Sequence, residues 1–181
     1  MRTSRILLTL LMAVLLASSA TAITELDYGT HEISVTLQPG EDVAFIIPMK
    51  AGDHLVVSLD VANGSHVDFY LTNLTAYNAY QASISGSVFF PSLYYIVDCS
   101  LENADRIHYS YDSFAANEYV LLIDNTAHTE SGATPTGPVT ITGKVLIERN
   151  IWTLQNIIIL VAIVVAIVLF MAFLRWPRKK A

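Results

Sequence analysis

Residues 55–71, LVVSLDVANGSHVDFYL, carry the pattern that decides the fold of this chain. Apolar and polar side chains alternate on both sides of Asn63-Gly64, a dipeptide typical of β-hairpin turns. This alternation with a period of two is the signature of a strand with one buried face. Val61 matches Val67 across a three-residue loop, which aligns the apolar faces of both strands. The stretch therefore predicts an antiparallel hairpin over one core.

The same alternation continues through most of residues 23–150. We expect about eight short antiparallel strands, with one helical turn around residues 76–81. The predicted strands cover residues 33–37, 43–48, 55–61, 67–71, 94–100, 107–111, 118–124 and 139–147. Short strands with turn signals between them predict an all-β fold, a β-sandwich, with a barrel as the alternative.

Two apolar segments flank this domain and divide the chain into four parts. Residues 1–22 combine a basic start, a short apolar stretch and an Ala-x-Ala site, which predicts a cleaved signal peptide. Residues 23–150 form the extracytoplasmic β-sandwich. Residues 151–174 contain no charge and reach about 36 Å as a helix, which predicts one transmembrane helix. Residues 175–181 remain as a short basic tail.

Charge and aromatic residues predict how this span lies in the membrane. Basic side chains after the span favour a cytoplasmic C-terminus, and tryptophans favour the headgroup region. The membrane-interface residues are therefore expected to be Trp152, Trp176, Arg175, Arg178, Lys179 and Lys180. Almost no linker separates the last strand from the span, so the sandwich is expected to lie at the bilayer surface.

The domain outside the membrane is strongly acidic. All 16 acidic residues of the chain and only four basic ones lie within residues 23–150, a net charge of −12. Such a surface repels nucleic acid and anionic lipid headgroups. The single cysteine, Cys99, allows no disulfide within the chain, so the core must hold the domain together. Its alternation with Val97 and Leu101 predicts a buried thiol on a strand.

The order of motifs resembles a known family of sandwiches. Pro39-Gly40 precedes the apolar strand 43–48, Val67-Asp68-Phe69-Tyr70-Leu71 precedes Tyr77 and Tyr80, and residues 118–125 precede Gly137-Pro138-Val139. This order resembles the GOLD-type (Golgi dynamics) β-sandwich of single-pass secretory cargo receptors. It is also similar to pre-peptidase C-terminal domains and to related archaeal and bacterial surface proteins.

The resemblance implies a sandwich over roughly residues 30–148 and, for the layout of the whole chain, a trafficking role. The basic residues at the third and fourth places from the end are similar to the dibasic retrieval signal of the cargo receptors. The chain lacks their paired cysteines and their coiled-coil stalk. The same cations also anchor any span of this orientation.

No catalytic motif is present, and no cofactor and no metal site are predicted. His66-x-Asp68 and His108-x-Ser110-x-Asp112 place polar side chains on one strand face, as exposed strands commonly do. The hairpin register puts Asp60 across from Asp68, a like-charge pair that is destabilising. Bound Ca²⁺, salt or solvent exposure would each relieve this repulsion.

Tyrosines and sequons give the remaining candidate sites. Eight of the nine tyrosines lie between Tyr70 and Tyr119, and Tyr suits protein and glycan recognition. Tyr70, Tyr77 and Tyr80 are the predicted recognition surface, with Asp60 and Asp68 beside it. Asn63 and Asn73 begin Asn-x-Ser/Thr sequons and are predicted glycosylation sites.

These observations predict a non-enzymatic binding module for a protein or a glycan, in a membrane protein that contacts lipid and no nucleic acid. A cargo-receptor-like trafficking adaptor is the second interpretation, and an accessory or structural subunit of a membrane complex is the third. The cell surface is favoured over an endomembrane location.

Overall fold

The computed structural model describes residues 22–62, 65–85, 93–126, 132–152 and 154–175. Within them, nine strands form two packed sheets, which confirms an all-β sandwich. The strands are β1 (Ala22–Glu25), β2 (Gly29–Leu37), β3 (Glu41–Met49), β4 (His54–Val61), β5 (Val67–Asn73), β6 (Leu101–Ala104), β7 (Arg106–Asp112), β8 (Asn117–Asn125) and β9 (Val139–Glu148). The helices are α1 (Leu74–Ser85) and α2 (Leu154–Arg175).

One sheet has the order β1-β3-β8-β5-β6 and the other has the order β2-β9-β4-β7. Most neighbouring strands are antiparallel, as expected, but β1 is parallel to β3. The main core lies between the sheets and holds side chains such as Phe69, Leu121 and Ile141. A second, smaller cluster lies on the outer face of the five-stranded sheet, where Tyr77 of α1 packs on Val120 and Leu122.

The predicted hairpin between β4 and β5 is wrong. Both strands form, but β4 lies in the four-stranded sheet and β5 in the five-stranded sheet. The apolar faces of both strands still point to one core. The alternation of apolar and polar residues is therefore compatible with a crossover between the sheets as well as with a hairpin. Residues 67–72 are all buried, because α1 covers the outer face of β5.

The predicted strand at residues 94–100 is also wrong, although the buried thiol is confirmed. Val97–Cys99 form a short 3-10 helix instead, in which Cys99 is buried and free. The Ser100 hydroxyl accepts a hydrogen bond from the Leu71 N–H and donates one to the Ile96 carbonyl, which turns the chain. Val97 and Leu101 are exposed, so the period-two pattern did not mark a strand face.

Strand pairing defines a common end of the two sheets, which we call the proximal end. There β9 finishes at Glu148, opposite His54, and His54 in turn pairs with Asp112. The turn of residues 50–53 connects this end of the four-stranded sheet to Met49 of the other sheet. The helix α2 follows β9 after five residues, so the chain leaves the sandwich from its proximal end.

The described side chains of α2, residues 156–171, are all exposed. Counted over the described residues, no helix is both long enough and apolar enough to cross a membrane.

Candidate functional site

The candidate site is a cavity of about 310 Å³ that we call the tyrosine pocket. Its walls come from the end of β5, the segment after α1, the end of β7 and the start of β8. Asn73 and Tyr119 are paired residues on the adjacent strands β5 and β8, which brings these segments together. The residues that line the pocket are Thr72, Asn73, Tyr94, Tyr95, Ile96, Tyr111, Asn117 and Tyr119.

Two tyrosines form the fixed inner wall of the tyrosine pocket. The rings of Tyr111 and Tyr119 pack edge to face with centroids 5.2 Å apart, and the Tyr111 hydroxyl donates to the Tyr119 hydroxyl at 3.1 Å. The hydroxyls of Tyr119 and Ser113 are also 3.1 Å apart. Burial and the hydrogen bond to Tyr119 raise the pKa of Tyr111, so this hydroxyl is neutral at physiological pH.

The other two tyrosines form a more exposed wall. The Thr72 hydroxyl donates to the Tyr94 carbonyl at 2.5 Å, and the Ile96 N–H donates to the Leu71 carbonyl at 2.7 Å. The Tyr95 ring packs on Tyr70 with centroids 5.0 Å apart. The backbone of this segment is thus fixed to β5, while the Tyr94 side chain remains 79 % exposed.

The tyrosine pocket offers aromatic faces, hydroxyls and carboxamides, and none of the described residues that line it is charged. Aromatic rings bind the apolar face of a ligand, and tyrosine hydroxyls and asparagine amides both donate and accept hydrogen bonds. Its volume is at the lower end of the usual range for small-ligand sites, about 300–1,000 Å³. The arrangement is suited to binding a neutral, hydroxylated ring.

Asn73 has two roles in this structure. Its Oδ1 accepts the Ala76 N–H at 2.8 Å, which caps the first turn of α1. Asn73 also lines the tyrosine pocket and begins the second sequon. A glycan attached to its Nδ2 would stand at the pocket, so glycosylation of Asn73 and binding of an external ligand there exclude each other.

The predicted recognition surface of Tyr70, Tyr77 and Tyr80 is not exposed, because all three side chains are buried between α1 and the sheet. Tyr70 does lie on the outer face of β5, but α1 is longer than the single turn expected and covers it. Burial, reinforced by neighbouring carboxylates, raises the pKa of Tyr70 and that of Tyr80 far above the usual range. None of the three lines the tyrosine pocket, and Tyr70 supports its wall by packing on Tyr95.

The predicted contact between Asp60 and Asp68 does not form. Asp60 lies on β4, exposed, with Arg106 and Thr142 as its cross-strand neighbours. Asp68 instead pairs with Asp124 on β8, which pairs in turn with Asp42 on β3. A cross-strand pair of like charges therefore exists, but it is buried and joins Asp68 to Asp124 instead of Asp60.

The two carboxylate oxygens of Asp68 differ in their hydrogen bonding. Its Oδ1 accepts the N–H groups of Asn103 and Ala133 at 2.7 and 2.8 Å, whereas its buried Oδ2 has no hydrogen-bond partner among the described residues. Burial raises the pKa of Asp68, the two N–H groups lower it, and the charges of Asp124 and Glu102 raise it again, with a net increase. Among the described residues, no group of three or more His, Cys, Asp or Glu side chains is arranged to hold a metal ion.

A buried carboxylate at the proximal end ties the chain that leads to α2 to the sandwich. Asp53 accepts hydrogen bonds from the Tyr28 hydroxyl at 2.5 Å, the Lys50 N–H at 2.7 Å and the Asn150 N–H at 2.8 Å. Burial alone would raise the pKa of Asp53, but these donors and the charge of Arg149 lower it overall. No pattern in the sequence predicts this cluster, which we call the Asp53 clamp.

The remaining predicted residues lie at the ends of the described segments. Trp152 is 65 % exposed, and Arg175 is the last residue of α2. Asn63, Trp176, Arg178, Lys179 and Lys180 lie outside the described residues.

The only similarity found to known proteins is a weak similarity to solved structures. No protein-family model and no curated protein matches the chain. Solved structures that are similar include PliG of Aeromonas hydrophila, a periplasmic inhibitor of g-type lysozyme, with a TM-score of 0.43 and 11% identity over 71% of this chain and 100% of that one. The pre-peptidase C-terminal domain of a Bacillus anthracis collagenase has a TM-score of 0.41 and 8% identity over 72% of this chain and 99% of that one.

A third similar structure is CorA of Methylomicrobium album BG8, a surface-associated copper-binding protein, with a TM-score of 0.41 and 10% identity over 74% of this chain and 100% of that one. These structures include a pre-peptidase C-terminal domain, one of the kinds of sandwich that the sequence resembles, while the GOLD resemblance stays a prediction. At these scores and identities the similarities carry no argument about function. The functional argument therefore rests on the geometry of the site.

Proposed function

We propose that this chain is a single-pass membrane protein whose extracytoplasmic sandwich is a non-enzymatic binding module, with the tyrosine pocket as a glycan site. The observation that carries the proposal is the lining of the pocket, four tyrosines with two asparagines and a threonine in a concave site without charge. A concave site of this size is better suited to binding a small ring than to binding a flat protein surface. The neutral lining favours a neutral sugar, since the domain as a whole carries a charge of −12.

The membrane part of the proposal is supported by the sequence. Residues 151–174 are uncharged, and 24 residues in a helix would rise about 36 Å. The basic residues from Arg175 onward favour a cytoplasmic C-terminus. Protease added outside intact cells should remove the sandwich and spare a C-terminal tag, and loss of the tag would reverse this topology.

Glycan binding is tested with the full chain in detergent on an array of neutral and acidic oligosaccharides. The protein is produced in a host that attaches no N-glycans, so that Asn73 stays free. Tyr94→Ala and Asn117→Ala remove a stacking face and an amide from the pocket, and each should weaken binding about tenfold or more, equivalent to about 1.4 kcal/mol. Both side chains are exposed, so the fold should survive both changes.

The matched control is Phe114→Ala, which removes an exposed aromatic side chain that does not line the pocket. This variant should bind as the wild type does. If no glycan is retained, or if all three variants bind alike, the tyrosine pocket is not a glycan site. Retention of a protein by the wild type, lost in both pocket variants, would favour protein recognition instead.

A further inference from the structure

The proximal end of the sandwich carries an exposed aromatic side chain, Phe114, in the loop between β7 and β8. Phe114 is 88 % exposed and is not needed by the core.

The loop that carries Phe114 is held in place. The Gly52 N–H donates to the Ser113 carbonyl at 2.6 Å, and the Ser113 N–H donates to the Asp53 carbonyl at 2.9 Å. The Ser113 hydroxyl donates to the Ala115 carbonyl at 2.6 Å. Phe114 is therefore presented by a loop bonded to the same turn that holds Asn150 through the Asp53 clamp.

The clamp also limits how far this end can lie from the membrane. The Asn150 N–H bonds to Asp53, and α2 begins at Leu154, four residues further on. Four extended residues reach at most about 14 Å. The headgroup layer on one side of a bilayer is about 5–8 Å thick, so the clamped end lies within a short distance of it if α2 crosses the membrane.

We infer that Phe114 inserts into the headgroup region of the bilayer that α2 crosses, so that lipid covers the loop between β7 and β8. The inference rests on the membrane span in the proposed function. Aromatic side chains favour this depth, as expected also for Trp152 at the start of the span. The acidic domain excludes electrostatic attraction to anionic lipid as the cause, so this contact is expected with zwitterionic lipid and at high salt.

The test uses the full chain reconstituted in phosphatidylcholine vesicles. Phe114→Trp is made in a background of Trp152→Phe and Trp176→Phe, which leaves one tryptophan, and lipid brominated near the headgroup end of its acyl chains serves as the quencher. The control is Gln38→Trp in the same background, in the turn between β2 and β3 at the opposite end of the sandwich. Circular dichroism confirms the fold of each variant.

The Phe114→Trp emission should shift to shorter wavelength and lose at least half of its intensity to the quencher, equally in low salt and in 1 M salt. The Gln38→Trp emission should be unaffected. Flotation of the protein with vesicles after alkaline extraction reports the span separately. Flotation without quenching at position 114 would overturn the lipid contact and leave the span intact, whereas failure to float would overturn both.

Discussion

Asp68→Asn is the substitution that most directly tests the buried acidic pair of the sandwich. Asp68 is 1 % exposed, lies opposite Asp124 across β5 and β8, and among the described residues has hydrogen-bond partners on only one of its two oxygens. Asparagine keeps Oδ1 as the acceptor for the Asn103 and Ala133 N–H groups. It replaces Oδ2 by an amide nitrogen, which donates hydrogen bonds, and it removes one negative charge from the pair.

The expected magnitude follows from the cost of a buried polar atom without a partner, about 1–3 kcal/mol. Asp68→Asn should therefore raise the free energy of unfolding at pH 7 by about 1–3 kcal/mol. The measurement is urea denaturation of residues 23–150 produced alone, followed by circular dichroism. Asp60→Asn is the matched control, because Asp60 is exposed and should change the free energy by less than about 0.5 kcal/mol.

The gain should also depend on pH. The groups that face Asp68 are Asp124 on β8, Glu102 on β6 and, on its own strand, Tyr70. A carboxyl whose pKa is raised in the folded protein binds its proton more tightly there than in the unfolded chain. The resulting stabilisation of the wild type is fully present below the pKa of an aspartate in the unfolded chain, about 3.9. It is lost as pH rises through the pKa of Asp68 in the folded protein.

The advantage of Asp68→Asn over the wild type should therefore be largest at neutral pH and should shrink as pH falls through the raised pKa of Asp68. A variant that is no more stable than the wild type at pH 7 would refute this reasoning. A gain that is the same at pH 4 and pH 7 would refute it as well, because the charge would then have no part in the effect.

Three further predictions concern the scaffold. Residues 23–150 should fold without the flanking segments and give a β-rich circular dichroism spectrum, and a random-coil spectrum would contradict this. Asp53→Ala should lower the free energy of unfolding by about 2–4 kcal/mol, because three donors lose their acceptor. The pKa of Asp53 is lowered in the folded protein, so this loss of stability should be present above the pKa of Asp53 in the unfolded chain. It should disappear as pH falls through the pKa of Asp53 in the folded protein. Gly143→Ala should prevent folding, because Gly143 has φ +150° and a Cβ there would lie 2.1 Å from the Ser58 carbonyl oxygen, whereas Gly137→Ala meets nothing within 4 Å and should be tolerated.

The alternation of side chains predicted most strands but not which strands pair. The period of two depends on neighbouring residues, so strands such as β4 and β9 could be predicted within a few residues of their bounds. Pairing depends on contacts between distant segments. The short connection after Val61 is compatible with a hairpin and with a crossover to the other sheet. Only the pairing of β4 with β7 and β9, and of β5 with β6 and β8, distinguishes them.

The tyrosine pocket could be predicted only in part for the same reason. The concentration of tyrosines between residues 70 and 119 is visible in the sequence, and it does mark the region of the site. Which tyrosines line the pocket depends on the pairing of Asn73 with Tyr119 and on the return of the chain past β5 at Ile96. The sequence favoured Tyr70 because it alternates with core residues, but alternation does not reveal that a helix covers the outer face.

The two buried aspartates show why a residue type in a strand or turn does not by itself determine its electrostatic state. Asp53 and Asp68 are both 1 % exposed, yet the pKa of Asp53 is lowered and that of Asp68 is raised. Burial favours the neutral form of both side chains. Asp53 receives donors on both oxygens and the charge of Arg149, whereas Asp68 receives donors on one oxygen and faces Asp124 and Glu102. Of the donors to Asp53, only the Lys50 N–H is local, whereas the Tyr28 hydroxyl and the Asn150 N–H come from distant parts of the chain. Tertiary contacts, together with the turn, therefore fix the charge that holds the proximal end together.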